Sequence, residues 1–312
     1  MTSIELTAPA KVNLVLKILG KRKDSYHNIY TLFEKISLCD RIRITKIREG
    51  IIVSSDRFIT RSPKDNLVYK AAKLFLGRHK LKYGVKIDIK KKIPIAGGLG
   101  GGSSDAASVL MGMDRLFGLK IGRAGLLSLA ARLGSDVPFF ILDVPFAVGR
   151  GRGERLEKAD VRKRLWHLII YPGFKVSTKD VYEAFDAHQE ALVPRRGSGS
   201  RPEHLPKALT TRHCGDRIIR QSAGSMDFGE IESMLYNDLE ETVIAKKETI
   251  GKVIERLASS LNKKAIVSGS GPSVFCLYRD GKEALAAKRR LLGSLPAPER
   301  ASWQVFVAKT EK

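Results

Sequence analysis

The sequence predicts an α+β protein in two domains, and three observations carry that expectation. Val85, Ile87 and Ile89 alternate with Lys86, Asp88 and Lys90, the period of a half-buried strand. Ala106, Leu110, Met113 and Phe117 recur at spacings of four, three and four, the period of an amphipathic helix, with Gly118 as a stop. The chain has 312 residues, whereas one average domain has about 100 to 150. A composition shift at residues 160–164 precedes a fresh strand pattern at residues 166–171, so the expected domains are residues 1–162 and 163–312.

Taken in order, the first strand is expected over residues 7–19, with Val12, Leu14, Leu16 and Ile18 on one face and Lys11, Asn13 and Lys17 on the other. Lys11 beside Asn13 can hold a hydroxyl or a phosphate. Ordinary alternation with solvent produces the same pattern, and spacing alone favours it. Residues 20–25 form a polar turn, followed by Tyr26, His27 and an apolar stretch at Ile29, Leu32 and Phe33. Tyr26 can stack on a ring or simply pack. Leu67, Ala71, Leu74 and Phe75 mark a core helix within residues 66–76.

Residues 94–107 hold five glycines and two serines between the strand at residues 85–90 and the helix at residues 106–117. A helix start has backbone N–H groups without partners and a partial positive charge, so it favours phosphate. Gly97, Gly98, Gly100, Gly101 and Gly102 permit positive φ and close approach of main-chain N–H groups to a polyanion; Ser103 and Ser104 add hydroxyls. The expected role is a phosphate cradle. Leu126, Leu129, Ala130 and Leu133 give a further helix, which Gly134 is expected to end in the left-handed conformation. Asp136 then precedes Pro138 in a new first turn, where it suits either an N-cap or a general base.

In the second half, residues 194–206 are poor in apolar residues and read as a surface insertion, part of a basic segment at 187–226. Ile231, Leu235 and Leu239 predict one helix, and Ile250, Ile254, Leu257 and Leu261 another. Two short apolar strands, at residues 265–267 and 274–277, flank a second glycine turn, Ser268-Gly-Ser-Gly-Pro-Ser273. A helix at residues 284–292 and a strand at residues 303–308 complete the chain.

Composition bounds the function. A hydrophobic content of 43% supports a packed core. No run of about 18 apolar residues occurs and no signal-peptide pattern opens the chain, so a cytoplasmic protein with no membrane partner is expected. Cys39, Cys214 and Cys276 are scattered and odd in number, which suggests reduced thiols rather than a disulfide framework or zinc site. The formal charge of +23 raises the expectation of an anionic partner. Arg41, Arg43 and Lys46 alternate with Ile42, Ile44 and Ile47 as a solvated strand face does, and aromatics make up only 7% of residues, so a phosphorylated metabolite is expected rather than nucleic acid.

Three segments, Pro9-Ala-Lys-Val-Asn-Leu14, residues 94–107 and Ser268-Gly-Ser-Gly-Pro-Ser273, resemble in order and separation the three motifs of the GHMP kinases. Asp24-Ser-Tyr-His27, Leu133-Gly-Ser-Asp-Val-Pro-Phe139 and Tyr236-Asn-Asp-Leu-Glu240 are similar to the branch of that family whose acceptor is a cytidylated methylerythritol. The resemblance implies the GHMP kinase fold, with an S5-like N-terminal domain and a ferredoxin-like C-terminal domain. It also implies ATP and Mg²⁺ as cofactors and transfer to the acceptor's 2-hydroxyl in non-mevalonate isoprenoid precursor synthesis.

By the same resemblance, Asp136 matches the catalytic aspartate, Lys11 its partner, and Asn13 a substrate-side polar group. Pro94, Gly97, Gly98, Leu99, Gly100, Gly101, Gly102, Ser103 and Ser104 match the ATP loop. Tyr26 and His27 match a cytidine-binding pair, with Tyr182, Thr178, Gly269 and Gly271 further acceptor-side positions. No acidic residue places the magnesium ligands. Where the family usually carries glycine, this chain has Ser25.

Overall fold

A computed structural model describes residues 2–192 and 227–311. The predicted insertion therefore lies, beyond residue 192, outside the described residues, as does Cys214; residues 187–192 form the end of a helix. Two antiparallel strands organise the first sheet: β1 (Ser3–Lys21) and β2 (His27–Ile47), paired from Ser3 opposite Thr45 to Lys21 opposite His27. β1 is longer than the expected residues 7–19. Between them Arg22 N–H donates to Tyr26 O at 2.7 Å, and Ser25 adopts φ 65°. That left-handed conformation is the one glycine takes without a Cβ penalty, which accounts for the glycine of the resembled pattern.

Among the described residues the first sheet runs β3 (Ile51–Ser55), β4 (Gly84–Lys90), β2, β1, β8 (Tyr236–Asn237), while β5 (Phe146–Gly151) pairs with β2 and with β6 (Arg155–Lys158). β2 changes partner along its length, meeting β5 over Ile29–Glu34 and β4 over Arg41–Ile47. At that transition Asp40 replaces the ladder: its carboxylate accepts the N–H groups of Lys92 and Ile93 at 2.6 and 2.8 Å. The chain leaving β4 is thereby fixed just before the glycine stretch.

Helices α1 (Leu67–Arg78), α2 (Gly101–Phe117), α3 (Gly122–Ala131) and α4 (Val137–Leu142) cover this sheet. Asn66 caps α1 through Val68 N–H at 2.9 Å, and Gly118, at φ 66°, ends α2 as expected. Gly134 does not end α3. That helix stops at Ala131, with Arg132 in the right-handed region, and Gly134 is absent from the positive-φ glycines. The tight turn into α4 needs no left-handed residue there.

Between sheet and α2 lies a buried charge cluster. Lys91 Nζ donates to Asp105 at 2.7 Å and to Asp40. Burial pushes the Asp105 carboxyl up to about 7, with Lys91 opposing and Asp40 adding. A raised carboxyl stabilises the fold most at low pH and loses that contribution as pH rises from ~4, the unfolded value, through the folded one. Asp105→Asn is expected to flatten the fall in unfolding free energy over this interval, measured by urea titration at pH 5 and pH 8. An unchanged slope would assign the dependence elsewhere.

The second sheet is antiparallel, in the order β11 (Gln304–Lys309), β7 (Trp166–Tyr171), β10 (Val274–Tyr278), β9 (Ala265–Val267). Around it lie α5 (Thr178–Leu192), α6 (Phe228–Ser233), α7 (Glu240–Lys246), α8 (Glu248–Leu261), α9 (Gly281–Ser294) and α10 (Ala297–Ser302). The helix predicted across Ile231, Leu235 and Leu239 is not continuous. All three residues are buried, but Tyr236 and Asn237 leave α6 to run parallel to β1. Asn237 Nδ2 donates to Val267 O and Gly269 O, both at 2.8 Å, and the Asp238 carboxylate accepts Ile18 N–H at 2.6 Å. Side-chain bonds of this kind compete with helix.

One core cluster joins both sheets, with Val12, Leu14 and Leu32 packed among Ile169, Phe275 and Leu277. Residues 11–16 are buried on both faces, Val12 and Leu14 against that cluster and Lys11 beneath Gly100, Gly269 and the Phe33 ring. Lys11 and Asn13 do not face solvent, contrary to the bland expectation. The β-bulge between Asn13 and Val15 sits at this place.

Candidate active site

The glycine stretch leaves β4 and enters α2 through Gly100, the N-cap, at φ 68°. The first turn leaves the N–H groups of Gly101, Gly102 and Ser103 without intrahelical partners, whereas Ser104 N–H donates to Gly100 O at 2.9 Å. A Cβ on Gly102 would meet nothing nearer than Leu67 Cδ1 at 3.8 Å, and Gly102 is exposed. Ser103 is half-buried; Ser104 is fully buried, its Oγ without a protein partner. Pro94 and Leu99 are buried and act as supports; Leu99 O accepts Lys11 N–H at 3.0 Å.

The second glycine turn packs behind the first. Ser273 N–H donates to Gly97 O at 3.1 Å, and Ser268 Oγ to Gly98 O at 3.1 Å. Gly98 sits at φ 78°, and a Cβ there would lie 2.3 Å from Ser268 O. Gly269 and Gly271 are also in the left-handed region. A Cβ on Gly269 would come 3.2 Å from Asn13 Oδ1 and 3.5 Å from Lys11 Nζ, so this turn borders the β1 polar pair.

Lys11 Nζ donates to Asn13 Oδ1 at 2.6 Å and stands 3.4 Å from Asp136 Oδ2. Asn13 Nδ2 in turn donates to Thr31 Oγ1, and Thr31 Oγ1 to Val15 O, each at 2.8 Å. Both ends of the Asn13 amide are thus engaged within the protein. The chain of bonds holds the Lys11 ammonium in one position. Asp136 occupies the N-cap position of α4 but makes no capping hydrogen bond. Its side chain is 33% exposed, against 6% for Lys11, so a carboxylate faces outward with a sequestered cation behind it.

On the far side, Tyr26 is 53% exposed, with the Arg152 guanidinium 4.8 Å from its ring centroid. His27 is buried, its ring centroid 4.9 Å from that of Tyr182. Burial pushes the Tyr182 hydroxyl pKa up, with the Asp136 carboxylate adding to the effect. Thr178, opening α5, lies with its Oγ1 2.8 Å from Ser270 Oγ of the second glycine turn. His27 Nε2 is 2.6 Å from Asp186 Oδ1, and Lys21 Nζ is 2.8 Å from Asp186 Oδ2.

Thr31, Arg152 and Asp186 escape the sequence reading, and Asn237 entered it only within the Tyr236–Glu240 segment. Only Asp186 left a signal: it follows Thr178 and Tyr182 at spacings of four, one face of a helix. Among the described residues no group of three or more His, Cys, Asp or Glu forms a metal cluster, and no helix is long and apolar enough to cross a membrane.

A glycine turn at a helix start, backed by a second glycine turn and set beside a Lys–Asp pair, makes a site for moving phosphate between a nucleotide and a small alcohol. Residues 66–148 match the N-terminal domain of the GHMP kinases and residues 219–296 their C-terminal domain, and the chain belongs to this family. Its relatives include a 4-diphosphocytidyl-2-C-methyl-D-erythritol kinase of Moorella thermoacetica, 37% identical over 95% of this chain and 97% of the relative. The kinase of the same name from Syntrophotalea carbinolica is 34% identical over 97% of each chain. A crystal structure of 4-(cytidine 5'-diphospho)-2C-methyl-D-erythritol kinase superimposes with TM-score 0.73 at 31% identity, covering 98% of both chains. Homoserine kinase from Cytophaga hutchinsonii, at 17% identity and TM-score 0.69 over 100% of this chain and 95% of its own, shares the fold.

Proposed function

We propose that the chain transfers the γ-phosphoryl group of ATP to the 2-hydroxyl of 4-diphosphocytidyl-2-C-methyl-D-erythritol, in the cytoplasmic synthesis of isoprenoid precursors. The observation that carries this reading is the outward-facing Asp136 carboxylate, 3.4 Å from the Lys11 ammonium, which the second glycine turn borders. We also propose that the active site lies in a cleft between domains comprising residues 1–162 and 163–312.

In this mechanism the free N–H groups of Gly101, Gly102 and Ser103 bind and orient the triphosphate. Asp136 accepts the proton of the acceptor hydroxyl as its oxygen bonds to the γ-phosphorus and the bond to the ADP oxygen breaks. Lys11 keeps Asp136 ionised and offsets charge on the phosphoryl oxygens. A loose transition state leaves the protein mainly alignment and charge stabilisation to supply. The hydrogen bonds from Lys11 through Asn13 to Thr31 hold that alignment.

Magnesium belongs to the same proposal. Mg²⁺ commonly keeps several waters among its ligands, so few protein donors would be needed. Ser103 and Ser104, the latter with its unbonded Oγ, are the side chains that would hold it. The ion supplies neutralisation of phosphate charge.

The test is ATP-dependent turnover with the cytidylated acceptor beside mevalonate and homoserine. Turnover of the first alone is expected; preference for either of the others would overturn the reading. Tyr26→Ala is expected to weaken the cytidylated acceptor roughly 5- to 150-fold, ~1 to 3 kcal/mol of lost stacking, with little change for ATP. Equal weakening of both ligands, measured by calorimetric titration, would remove Tyr26 from the acceptor site.

A further inference from the structure

We propose that Asn237 is a positioning residue for phosphoryl transfer: its buried side-chain amide holds the second glycine turn against Lys11 and so fixes the ammonium beside the Asp136 carboxylate. The inference rests on the function proposed above and gives a role to the Tyr236–Glu240 segment, which the mechanism does not use.

That segment bridges two parts of the site. Towards β1, Asn237 stands opposite Leu16 in the parallel pairing, and the Asp238 carboxylate accepts Ile18 N–H at 2.6 Å. Towards the turn, Asn237 Nδ2 donates to Val267 O and Gly269 O, and the Glu240 carboxylate accepts Val267 N–H at 2.8 Å. Asn237 Oδ1 accepts Leu239 N–H at 3.0 Å. Two carbonyls at one end of the amide and an N–H at the other settle which atom is the nitrogen, and both of its hydrogens are used. Asn237 is 7% exposed, so its removal takes a donor from two backbone carbonyls that solvent barely reaches.

Gly269 is where the turn meets the catalytic pair. A Cβ there would lie 3.2 Å from Asn13 Oδ1 and 3.5 Å from Lys11 Nζ. The flanks of the turn are tied to the ATP loop through Ser268 and Ser273, whereas Gly269 is tied through its carbonyl to Asn237. A lysine side chain is long and flexible, and its ammonium stands where the surrounding walls leave it. Here those walls are the Phe33 ring, 5.5 Å from Nζ, then Gly100, whose Cβ would lie 2.9 Å from Lys11 Cγ, and Gly269. Asn237 holds the third of them. A misplacement of about 1 Å at a reacting centre can cost ~10²-fold in rate, so a loosened wall is felt in the chemical step.

The experiment uses the full chain, Asn237→Ala, Asn237→Ser, which keeps one donor, and Leu291→Ala as a control. Leu291 is fully buried on α9, so its truncation destabilises the same domain without touching the turn. With enzyme in excess and both ligands saturating, the single-turnover rate reads the filled, folded sites alone. It is expected to fall by ~10- to 100-fold in Asn237→Ala, by less in Asn237→Ser, and to stay within ~3-fold in Leu291→Ala although that variant melts earlier. NMR of ¹⁵N-labelled lysine supplies a readout independent of turnover. In the unaltered chain the Lys11 ammonium, assigned by its loss in Lys11→Met, is expected to exchange its protons slowly, since it is buried and bonded to Asn13. Asn237→Ala is expected to remove that protection.

An unchanged single-turnover rate in Asn237→Ala, an equal loss in Leu291→Ala, or a Lys11 resonance that Asn237→Ala leaves in place would overturn the inference. If the alanine variant does not fold, Asn237→Ser carries the same comparisons. If the unaltered chain does not phosphorylate the cytidylated acceptor, the proposed function falls; the Lys11 resonance still decides whether Asn237 sets the ammonium.

Discussion

Asp136→Ala is expected to lower kcat by ~10² to 10⁴ while ATP binds with nearly unchanged affinity, because a positioned base contributes about that much in rate. The geometry separates this loss from one of stability. Asp136 makes no capping hydrogen bond at α4, and its side chain is one-third exposed. Lys11 keeps its bond to Asn13 and so is not stranded. Single-turnover rates with calorimetric ATP binding check both halves. Retained turnover would remove Asp136 as the base, and a large fall in melting temperature would mean that its role is structural.

Gly98→Ala is expected to destabilise the fold by about 2 to 6 kcal/mol, combining overpacking with backbone strain. The new Cβ would lie 2.3 Å from Ser268 O and 2.8 Å from Gly271 O, both backbone atoms, at φ 78°. Neither neighbour can rotate away. The contacting turn is itself held by Asn237 through Gly269 O and by Ser273 through Gly97 O, so a shift disturbs both glycine turns together. Gly102→Ala is the contrast. It has no neighbour closer than 3.8 Å and no positive φ, and alanine inside a helix turn gains roughly 0.5 to 1 kcal/mol over glycine. Urea unfolding of the two variants decides: equal stabilities would mean that the packing between the turns does not constrain Gly98.

Much of the secondary structure was legible as periodicity. β4 alternates buried and exposed residues, and β7, β9 and β10 stand at the apolar runs that announce them. Helix α2 begins in the glycine stretch and ends at Gly118. Misreadings occurred where long-range partners overruled local pattern. Ile231, Leu235 and Leu239 have the spacing of a helix and are indeed buried, yet pairing with β1 and the bonds of Asn237 and Asp238 place a strand between them.

The amino-acid sequence by itself determined the order of the elements, the position of the glycine turn at a helix start, and the residue types assembled around it. Each of these depends on backbone sterics and on periodicity within a dozen residues. Only the tertiary structure decided how those residues are used. Lys11 is buried because the two glycine turns and Phe33 close over its face of β1, opposite the face that the second sheet covers; on that same face Asn13 engages Thr31. Asp136 has equal local reason to cap α4, and it faces Lys11 because the loop preceding α4 brings it there. Asp186 lies 159 residues from His27. No local spacing encodes a hydrogen bond of that reach; it exists because packing α5 against the β1–β2 turn brings a carboxylate to an imidazole.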